Sequence, residues 1–534
     1  MPPKPMTEST QSPFTRPITL SSRHFPVVVV GAGINGVGVF RDLCLQGVEC
    51  LLVDKGDVGS GASSAPSRMI HGGLRYLENA EFSLVREAAS ERNNLLAIAP
   101  HLVKPLHTVI PLRSWFGGMF GSAMRFFGGH PPAQSRGVVA VALGLCLYDF
   151  MGRSQRTLPK HALRRLSSED RALLAPDVRW TAHFFDAWIS HPERLMHELI
   201  AQAHHDQPQS LVSNYCQLTA CAGNTLTLCD VDTGAEAQVT ADVVVNATGA
   251  WLEQLSDVLQ VTKGRVTGTK GSHLVLAHEA LHDALNGRMV YFEAADGRVC
   301  IVYPFLGRVL VGSTDIPIAD PEEAVTEADE VDYLLTVLRE VFPRLPFVRE
   351  HIVYTYVGVR PLAQAAPSAR PVGAEQPGKI SRDHSVVLDP PAGARAVPVI
   401  SLVGGKWTTF RALAEEATDS VLGLLKQPRL KATAGLRCAI APLGFDGTDL
   451  QSLQQLCERT GVVHLSDLVL HRSLLAFLGN LDENSLALMA RAAAQALHWS
   501  EEQQQNEIAR CMALLTGKHH ARLNTSPIAW KRAA

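Results

Sequence analysis

The sequence predicts an α/β fold with a β-rich middle region and a small α-helical cap at its C-terminal end. Three observations support this prediction. A strand, a glycine-rich loop, a helix and a second strand follow one another between residues 27 and 57. Short β-branched segments then recur from Val178 to Val403, and beyond Gln427 leucine, alanine and glutamine fall at helical spacing. These patterns place α/β, β and α structure in that order along the chain.

The first unit reads VVVVGAGINGVGVFRDLCLQGVECLLVDKGD, which is the order of a Rossmann-like nucleotide-binding motif. Four consecutive valines predict a buried strand, and the glycine loop after it should hold a pyrophosphate at the N-terminus of the next helix. The second strand ends in Asp54, which is placed to accept hydrogen bonds from a ribose. The motif predicts an adenine dinucleotide and leaves NAD and FAD open. The cofactor-binding residues predicted here are Gly31, Gly33, Ile34, Asn35, Gly36 and Asp54.

Composition and charge indicate an ordinary globular enzyme. A chain of 534 residues with 46% hydrophobic content can bury the cores of two or three domains. The net charge of −3 gives no basic field to attract nucleic acid. Ten cysteines without a CxxC pair indicate thiols in a reducing compartment. The sequence has no zinc-like ligand spacing, P-loop or G-x-S-x-G motif, so we expect no metal site, P-loop kinase or serine hydrolase.

Three regions are predicted along the chain. Residues 1–24 are rich in proline, serine and threonine and predict a disordered tail. Residues 25–427 predict a dinucleotide-binding domain with an interleaved substrate-binding domain, and residues 428–534 predict an α-helical domain. No segment approaches the ~20 apolar residues that span a bilayer.

A second segment of small residues, Gly59 to Ser64, follows the first unit. It suits a backbone wrapped closely around a ligand. A flexible loop is the alternative, but it would not explain why His71, Arg75 and Tyr76 come soon afterwards. Ser63 and Ser64 are therefore predicted to bind the cofactor.

Later strands repeat the pattern of a strand followed by small residues. Asp242 to Gly249 reads as a buried strand that returns the chain to the pyrophosphate. Val399 to Val403 leads into a second glycine loop and a helix that begins near Thr408, so backbone N–H groups should face an electron-rich ring system. Between these parts of the chain, Gly223-Asn224 predicts a hairpin turn joining Leu211–Ser213 to Thr225–Leu228. The cofactor-binding residues predicted from these loops are Thr248, Gly249, Gly404, Gly405, Lys406 and Thr408.

The stretch from Trp115 to Phe127 mixes aromatic residues, methionine and glycine, and an apolar run, Gly137 to Leu147, follows it. Together they predict either an amphipathic patch that contacts a membrane or a buried helical hairpin or subunit contact, such as that of a homodimer. The residues alone leave these interpretations open.

Three further segments stand out: Ile70 to Glu78 (IHGGLRYLE), Gly358 to Leu362 (GVRPL) and Gly404 to Arg411 (GGKWTTFR). They resemble the signatures of FAD-dependent glycerol-3-phosphate dehydrogenases, and the resemblance extends more weakly to Leu470–Ser473. It implies a Rossmann-like FAD-binding domain, a β-rich substrate domain and a small helical C-terminal cap, with FAD and not NAD as cofactor.

The same resemblance implies a reaction. sn-Glycerol 3-phosphate would be oxidised to dihydroxyacetone phosphate, and a membrane quinone would reoxidise the flavin. A cytoplasmic protein lying peripherally on the inner face of the cytoplasmic membrane fits this role. Oxygen as acceptor, a 2-hydroxy acid or amine as substrate, and a flavin-binding sensor without turnover are the competing hypotheses.

The motifs supply the residue types that such a reaction needs. A phosphate dianion calls for cationic, fork-shaped donors. The predicted substrate-binding residues are Arg75, Tyr76, Arg360, Arg382, Lys270 and His273, and the predicted catalytic residues are His71, Arg360 and Lys406. Four of these residues have an alternative interpretation. His71 is either a general base or a residue that holds the flavin or Tyr76 in place. Lys406 either stabilises reduced flavin or caps a helix at the surface, and Lys270 and His273 lie either near the active site or at a solvent-facing strand edge.

The chain departs from the family pattern at four places, one of which is a shortened and divergent helical cap. Ala65-Pro66 stands where relatives tend to have another small or polar residue, and proline removes a possible N–H donor. Ser313-Thr314 replaces the commoner Thr-Thr. The segment from Trp115 to Gly137 is enlarged, which bears on membrane contact and the electron acceptor.

Overall fold

The computed structural model describes residues 12–79, 81–115, 137–153, 156–364, 384–438, 443–445, 447–521 and 523–524. These residues form two large β-sheets, helices packed on them and a C-terminal group of helices, so the predicted fold class is confirmed. The strands are β1 (His24–Val30), β2 (Cys50–Val53), β3 (Met69–Ile70), β4 (Val103–Leu112), β5 (Ala162–Arg165), β6 (Trp180–Ile189), β7 (Leu211–Ser213), β8 (Cys216–Ala222), β9 (Thr225–Asp230), β10 (Glu236–Asn246), β11 (Val266–Leu276), β12 (Arg288–Glu293), β13 (Val299–Phe305), β14 (Arg308–Gly312), β15 (Ile316–Ile318), β16 (Ile352–Ala363), β17 (Ser385–Asp389) and β18 (Val399–Val403). The α-helices are α1 (Ile34–Leu45), α2 (Phe82–Ile98), α3 (Val138–Met151), α4 (Ser168–Leu173), α5 (Pro192–Asp206), α6 (Leu252–Leu259), α7 (Glu279–Leu285), α8 (Ala328–Val341), α9 (Phe410–Leu425), α10 (Leu450–Arg459), α11 (Glu483–Leu497) and α12 (Glu501–His519).

The first sheet has the order β17-β18-β10-β1-β2-β7. Strands β18, β10, β1, β2 and β7 run parallel, and β17 runs antiparallel at the edge. The central strand β1 is covered on both faces, which explains why it is a continuous run of valines. Helix α1 packs against α5 and α9. The strand, helix and strand predicted between residues 27 and 57 are therefore confirmed.

The predicted hairpin has the right turn but the wrong first strand. Gly223-Asn224 joins β8 to β9, not Leu211–Ser213 to β9. Residues Leu211–Ser213 are β7, which pairs in parallel with β2 at the edge of the first sheet. Tyr215, with a φ of 52°, has a left-handed backbone conformation that separates β7 from β8.

Residues 12–24, part of the segment predicted to be a disordered tail, make defined contacts with the first sheet. Phe14 forms a β-bridge with Val212, and Arg16 forms an ion pair of 2.7 Å with Asp230. Leu20 is fully buried against the first sheet. These contacts give residues 12–24 a fixed place, while residues 1–11 lie outside the described part.

The second sheet has ten strands and is mostly antiparallel. Strand β11 is paired with β16 along its whole length, and β4 and β6 form another long antiparallel pair. Strand β12 joins these two halves because it pairs in parallel with β4. Strand β4 was not predicted, and β6 lies in the region of predicted β segments but was not identified as a strand.

The C-terminal helices α10, α11 and α12 cover one face of the second sheet. Leucine and alanine side chains of the helices share a core with Tyr303, Phe305, Tyr354 and Tyr356 of the sheet. A short π-helical turn, Asp467–His471, lies between α10 and α11. This is the small helical cap that the sequence predicts.

Helix α3 carries an exposed apolar face. It buries Val138, Val141, Leu145 and Tyr148, whereas Leu143 and Phe150 are 68% and 61% exposed. Most of the preceding aromatic stretch, residues 116–136, lies outside the described residues. Among the described helices, none combines the length and apolar character of a membrane span.

Candidate functional site

One large cavity, of about 1200 Å³, lies where the two sheets meet, and loops from both sheets line it. It brings together most of the residues predicted from sequence. Those that line it are Gly31, Gly33, Ile34, Asn35, Asp54, Ser63, His71, Arg75, Tyr76, Thr248, Gly249, His273, Arg360, Gly405, Lys406 and Thr408.

The glycine loop after β1 has no room for side chains. Gly31 has a φ of +104°, and a Cβ there would lie 2.6 Å from the carbonyl oxygen of Ala247. A Cβ at Gly36 would lie 1.8 Å from the carbonyl oxygen of Gly31. Gly36 therefore packs against the backbone of Gly31 and does not line the cavity. Such a bare loop at the start of α1 fits a pyrophosphate group.

Two side chains hold this loop in place. The carboxylate of Asp54 accepts hydrogen bonds from the backbone N–H groups of Ala32 (2.6 Å) and Gly56 (2.9 Å), and burial raises the pKa of Asp54 to about 6. The hydroxyl of Ser63 accepts from the N–H of Ile34 at 2.9 Å. Ser64 instead donates to the carbonyl of Gly61 at 3.1 Å and does not line the cavity. The ribose contact of Asp54 stays a prediction.

The second glycine loop, after β18, presses against the first. Gly405 has a φ of +103°, and a Cβ there would lie 2.4 Å from the side-chain nitrogen of Asn35. The indole of Trp407 donates to the carbonyl of Ser63 at 3.0 Å. The ammonium group of Lys406 lies 4.1 Å from the centre of the Tyr76 ring, a cation–π distance. Gly404 precedes this contact and does not itself line the cavity.

The turn that carries His71 fixes which ring nitrogen holds a proton. His71 Nδ1 accepts a hydrogen bond from the N–H of Gly73 at 3.1 Å. In the neutral imidazole the proton then lies on Nε2, so that atom is a donor. A general base needs a nitrogen lone pair, and this arrangement favours the alternative in which His71 holds a neighbouring group.

Arg360 reaches the cavity from β16. Its guanidinium contacts Asp315 at 3.2 Å and the hydroxyl of Ser313 at 2.8 Å, and its side chain is 25% exposed. It crosses over Gly271, where a Cβ would lie 2.1 Å from Nη2. A partly exposed, fork-shaped cation at this place can bind an anion. The Ser313 that departs from the family pattern keeps a hydroxyl for this contact.

His273 lies on the neighbouring strand β11. Its ring stacks on Tyr356 at 4.7 Å between centroids, and Nε2 lies 2.7 Å from the hydroxyl of Ser67. Burial, and then the positive charge of Arg360, lowers the pKa of His273 to about 3. The ring is therefore neutral near pH 7.

Lys270, a predicted substrate residue, does not line this cavity. Lys270 contacts Glu327 at 3.1 Å and Glu330 at 3.0 Å. Lys270 and His273 are an odd number of positions apart on β11, so their side chains leave opposite faces of the sheet. We therefore leave Lys270 out of the substrate site. Arg382 lies outside the described residues.

The structure also adds residues that sequence reasoning missed. Asp186 comes from β6, Arg298 from the turn between β12 and β13, and Lys518 from α12 of the cap. The one available signal was a single acid in the buried run WTAHFFDAWI of β6. Arg298 and Lys518 stand in polar segments and carry no comparable signal.

Buried neutral histidines should make the fold sensitive to acid. The pKa of His273 is lowered to about 3 and that of His183 to about 4, in both cases first by burial. The unfolded chain takes up these protons below about pH 6.5, so stability should fall by up to ~1.4 kcal/mol per pH unit for each histidine as pH drops toward 4. Asp54, with its raised pKa, acts in the opposite direction between about pH 6 and 4, as do Asp42, Glu193 and Asp467, whose pKa values burial also raises. The lowered pKa values of Glu330 and Glu507 act in the same direction as the histidines.

Thermal melting of the purified protein between pH 6.5 and 4.5 measures this effect. His273→Gln, which removes one of the titrating rings, should melt with a shallower dependence on pH. An identical dependence in the variant would show that His273 is not a source of the acid sensitivity.

Comparisons with known proteins agree with this geometry. A family model described as FAD dependent oxidoreductase matches residues 26–389. A glycerol-3-phosphate dehydrogenase from Synechocystis sp. is 34% identical over 76% of this chain and 71% of its own length. A D-erythritol 1-phosphate dehydrogenase from Brucella abortus is 31% identical over 75% of this chain and 74% of its own length.

A solved structure supports the fold across the cap as well. It is the glycerol-3-phosphate dehydrogenase from Bacillus halodurans complexed with FAD, which covers 93% of this chain and 96% of its own. The TM-score is 0.66 at 19% identity, so this likeness concerns the fold alone.

Proposed function

Because this chain belongs to the glycerol-3-phosphate dehydrogenase family of FAD-dependent oxidoreductases, we propose that it oxidises sn-glycerol 3-phosphate to dihydroxyacetone phosphate. The observation that carries the proposal is the single cavity that collects the glycine cradle, the His71 turn, Arg360 and Lys406. A cofactor on the glycine cradle and a small anionic substrate near Arg360 would therefore bind next to each other in this cavity.

The residues of the cradle fit FAD. The loops at Gly31–Gly36 and Gly404–Gly405 would hold the cofactor, with Ser63 and Asp54 bracing the first of them. Bound FAD supplies the hydride acceptor. Lys406 places a positive charge at the second loop, where it would stabilise negative charge on a reduced ring system.

The substrate site follows from the cations. Arg360 would exchange part of its contact with Asp315 for the phosphate, and Arg75 and Arg298 line the same cavity. A phosphate dianion uses several such donors, whereas a carboxylate needs fewer of them and an amine needs none. The hydroxyl proton of the substrate would leave to solvent as the hydride passes to bound FAD, and His71 would donate its Nε2–H to the same oxygen and so orient the substrate.

We further infer that the electrons pass to a membrane quinone and that the protein lies peripherally on the inner face of the membrane. The exposed Leu143 and Phe150 on α3 support contact with lipid. Co-sedimentation with vesicles of anionic phospholipid, compared with a Leu143→Ser/Phe150→Ser variant, tests the contact. Turnover with a soluble quinone, set against oxygen consumption, tests the acceptor.

Anaerobic stopped-flow absorbance tests the central proposal. Mixing the yellow protein with sn-glycerol 3-phosphate should bleach the oxidised flavin band, while glycerol and lactate should leave it unchanged. D-erythritol 1-phosphate belongs in the same series, because a relative of comparable identity is named for that substrate. Faster bleaching by the longer polyol phosphate would keep the reaction class and overturn the assigned substrate.

A further inference from the structure

Asp186 is a buried carboxylate at the cavity that the proposed chemistry does not use. One of its oxygens, Oδ1, accepts three hydrogen bonds: from the backbone N–H of Gly72 (3.0 Å), the hydroxyl of Tyr148 (2.6 Å) and the guanidinium of Arg92 (2.8 Å). Arg92 also donates to the Tyr148 hydroxyl at 2.7 Å. Side chains of α2, α3 and β6 thus converge on one backbone N–H next to His71.

The turn is shaped around this group of side chains. A Cβ at Gly72 would lie 2.2 Å from the Tyr148 hydroxyl oxygen, so glycine is needed for the approach. Burial raises the pKa of Tyr148 well above its ordinary value, so the phenol remains a donor. Asp186 and Arg92 are 3% and 4% exposed, which leaves little water to loosen their ion pair.

We propose that Asp186, supported by Tyr148 and Arg92, is a positioning residue for His71. By holding the N–H of Gly72 it keeps the next N–H, that of Gly73, directed at His71 Nδ1. The ring proton is thereby kept on Nε2, the atom that would meet the substrate oxygen. The catalytic consequence rests on the proposed function, whereas the control of the His71 proton does not.

Tyr148→Phe is the mildest test because it removes one hydroxyl and keeps the ring. At saturating substrate, the rate of flavin reduction should fall about tenfold, with the apparent dissociation constant changed by less than about twofold, because misorientation affects the rate more than binding. Asp186→Asn should act in the same direction and more strongly, since it also removes the charge opposite Arg92.

Asp170→Asn is the matched control. It weakens another buried Arg–Asp pair, Arg288 to Asp170 at 2.8 Å, which does not line the cavity. This variant should lose stability and keep the reduction rate per bound flavin. Equal reduction rates in Tyr148→Phe, Asp186→Asn and the control would overturn the positioning role.

A second readout is independent of the substrate. Nitrogen-15 NMR of the histidine-labelled, FAD-loaded protein, with His71 assigned from His71→Gln, should show Nε2–H in the wild type and a mixture of tautomers in Tyr148→Phe. An unchanged His71 signal would contradict the proposal. If sn-glycerol 3-phosphate fails to reduce the wild-type flavin, the proposed function falls while this measurement still decides the positioning role.

Discussion

Arg360→Ala should raise the dissociation constant for sn-glycerol 3-phosphate about 100-fold while the purified variant remains yellow, because the lost charge-assisted bonds are worth roughly 2–4 kcal/mol. Arg360 places its partly exposed guanidinium at the cavity from the second sheet, whereas the glycine cradle belongs to the first. The loss should therefore fall on substrate binding and not on cofactor content. Flavin bleaching at increasing substrate concentration gives the constant.

Three comparisons sharpen this test. Arg360→Lys keeps the charge without the fork and should lie between the wild type and Arg360→Ala. Arg288→Ala removes a similarly buried Arg–Asp partner away from the cavity and should leave the dissociation constant unchanged. Glycerol, which lacks the phosphate, should compete with sn-glycerol 3-phosphate in the bleaching assay with about the same inhibition constant in the wild type and in Arg360→Ala. An Arg360→Ala variant with wild-type affinity would place the phosphate elsewhere.

The first glycine loop is predictable from sequence because its motif is local. Gly31, Gly36 and Asp54 lie within 24 residues, and Gly36 and Asp54 need their residue types for contacts made inside that unit, whereas the close neighbour of Gly31 is the distant Ala247. The family and its FAD cofactor could be predicted for the same reason, because their motifs are contiguous in sequence. Both predictions are confirmed by the comparisons. Arg360 could also be predicted, because it stands in a contiguous motif. Its partner Asp315 lies in a different part of the sequence.

The site residues and roles that could not be predicted from sequence depend on contacts and strand geometry that appear only in the folded chain. Asp186 accepts a hydrogen bond from Gly72 only because β3 pairs with β6. No local sequence pattern predicts that strand pairing. Lys270 stands in a family motif, yet strand alternation turns it to the face opposite His273. The role of His71 likewise depends on one backbone hydrogen bond that spacing cannot reveal.

An ion pair between distant segments joins the helical cap to the loop that follows β2. Asp57 accepts hydrogen bonds from Arg472 at 2.5 and 2.8 Å and from His471 at 2.6 Å, and both Asp57 and Arg472 are buried. Burial alone would raise the pKa of Asp57, but the charge of Arg472 holds it well below its usual range. Asp57 lies between Gly56 and Gly59, which line the cavity.

Arg472→Met should therefore release FAD far more readily than the wild type does. Removing one partner of a buried pair costs about 3–5 kcal/mol, and here the charge of Asp57 would keep only the His471 contact on the loop that wraps the cofactor. Flavin fluorescence during heating reports the release. Arg429→Met is the matched control, because it breaks a two-bond pair with Asp42 of α1 (3.0 and 3.1 Å) that does not line the cavity. If both variants release flavin at the same temperature, Arg472 only stabilises the fold; if Arg472→Met releases it first, the cap takes part in holding the cofactor.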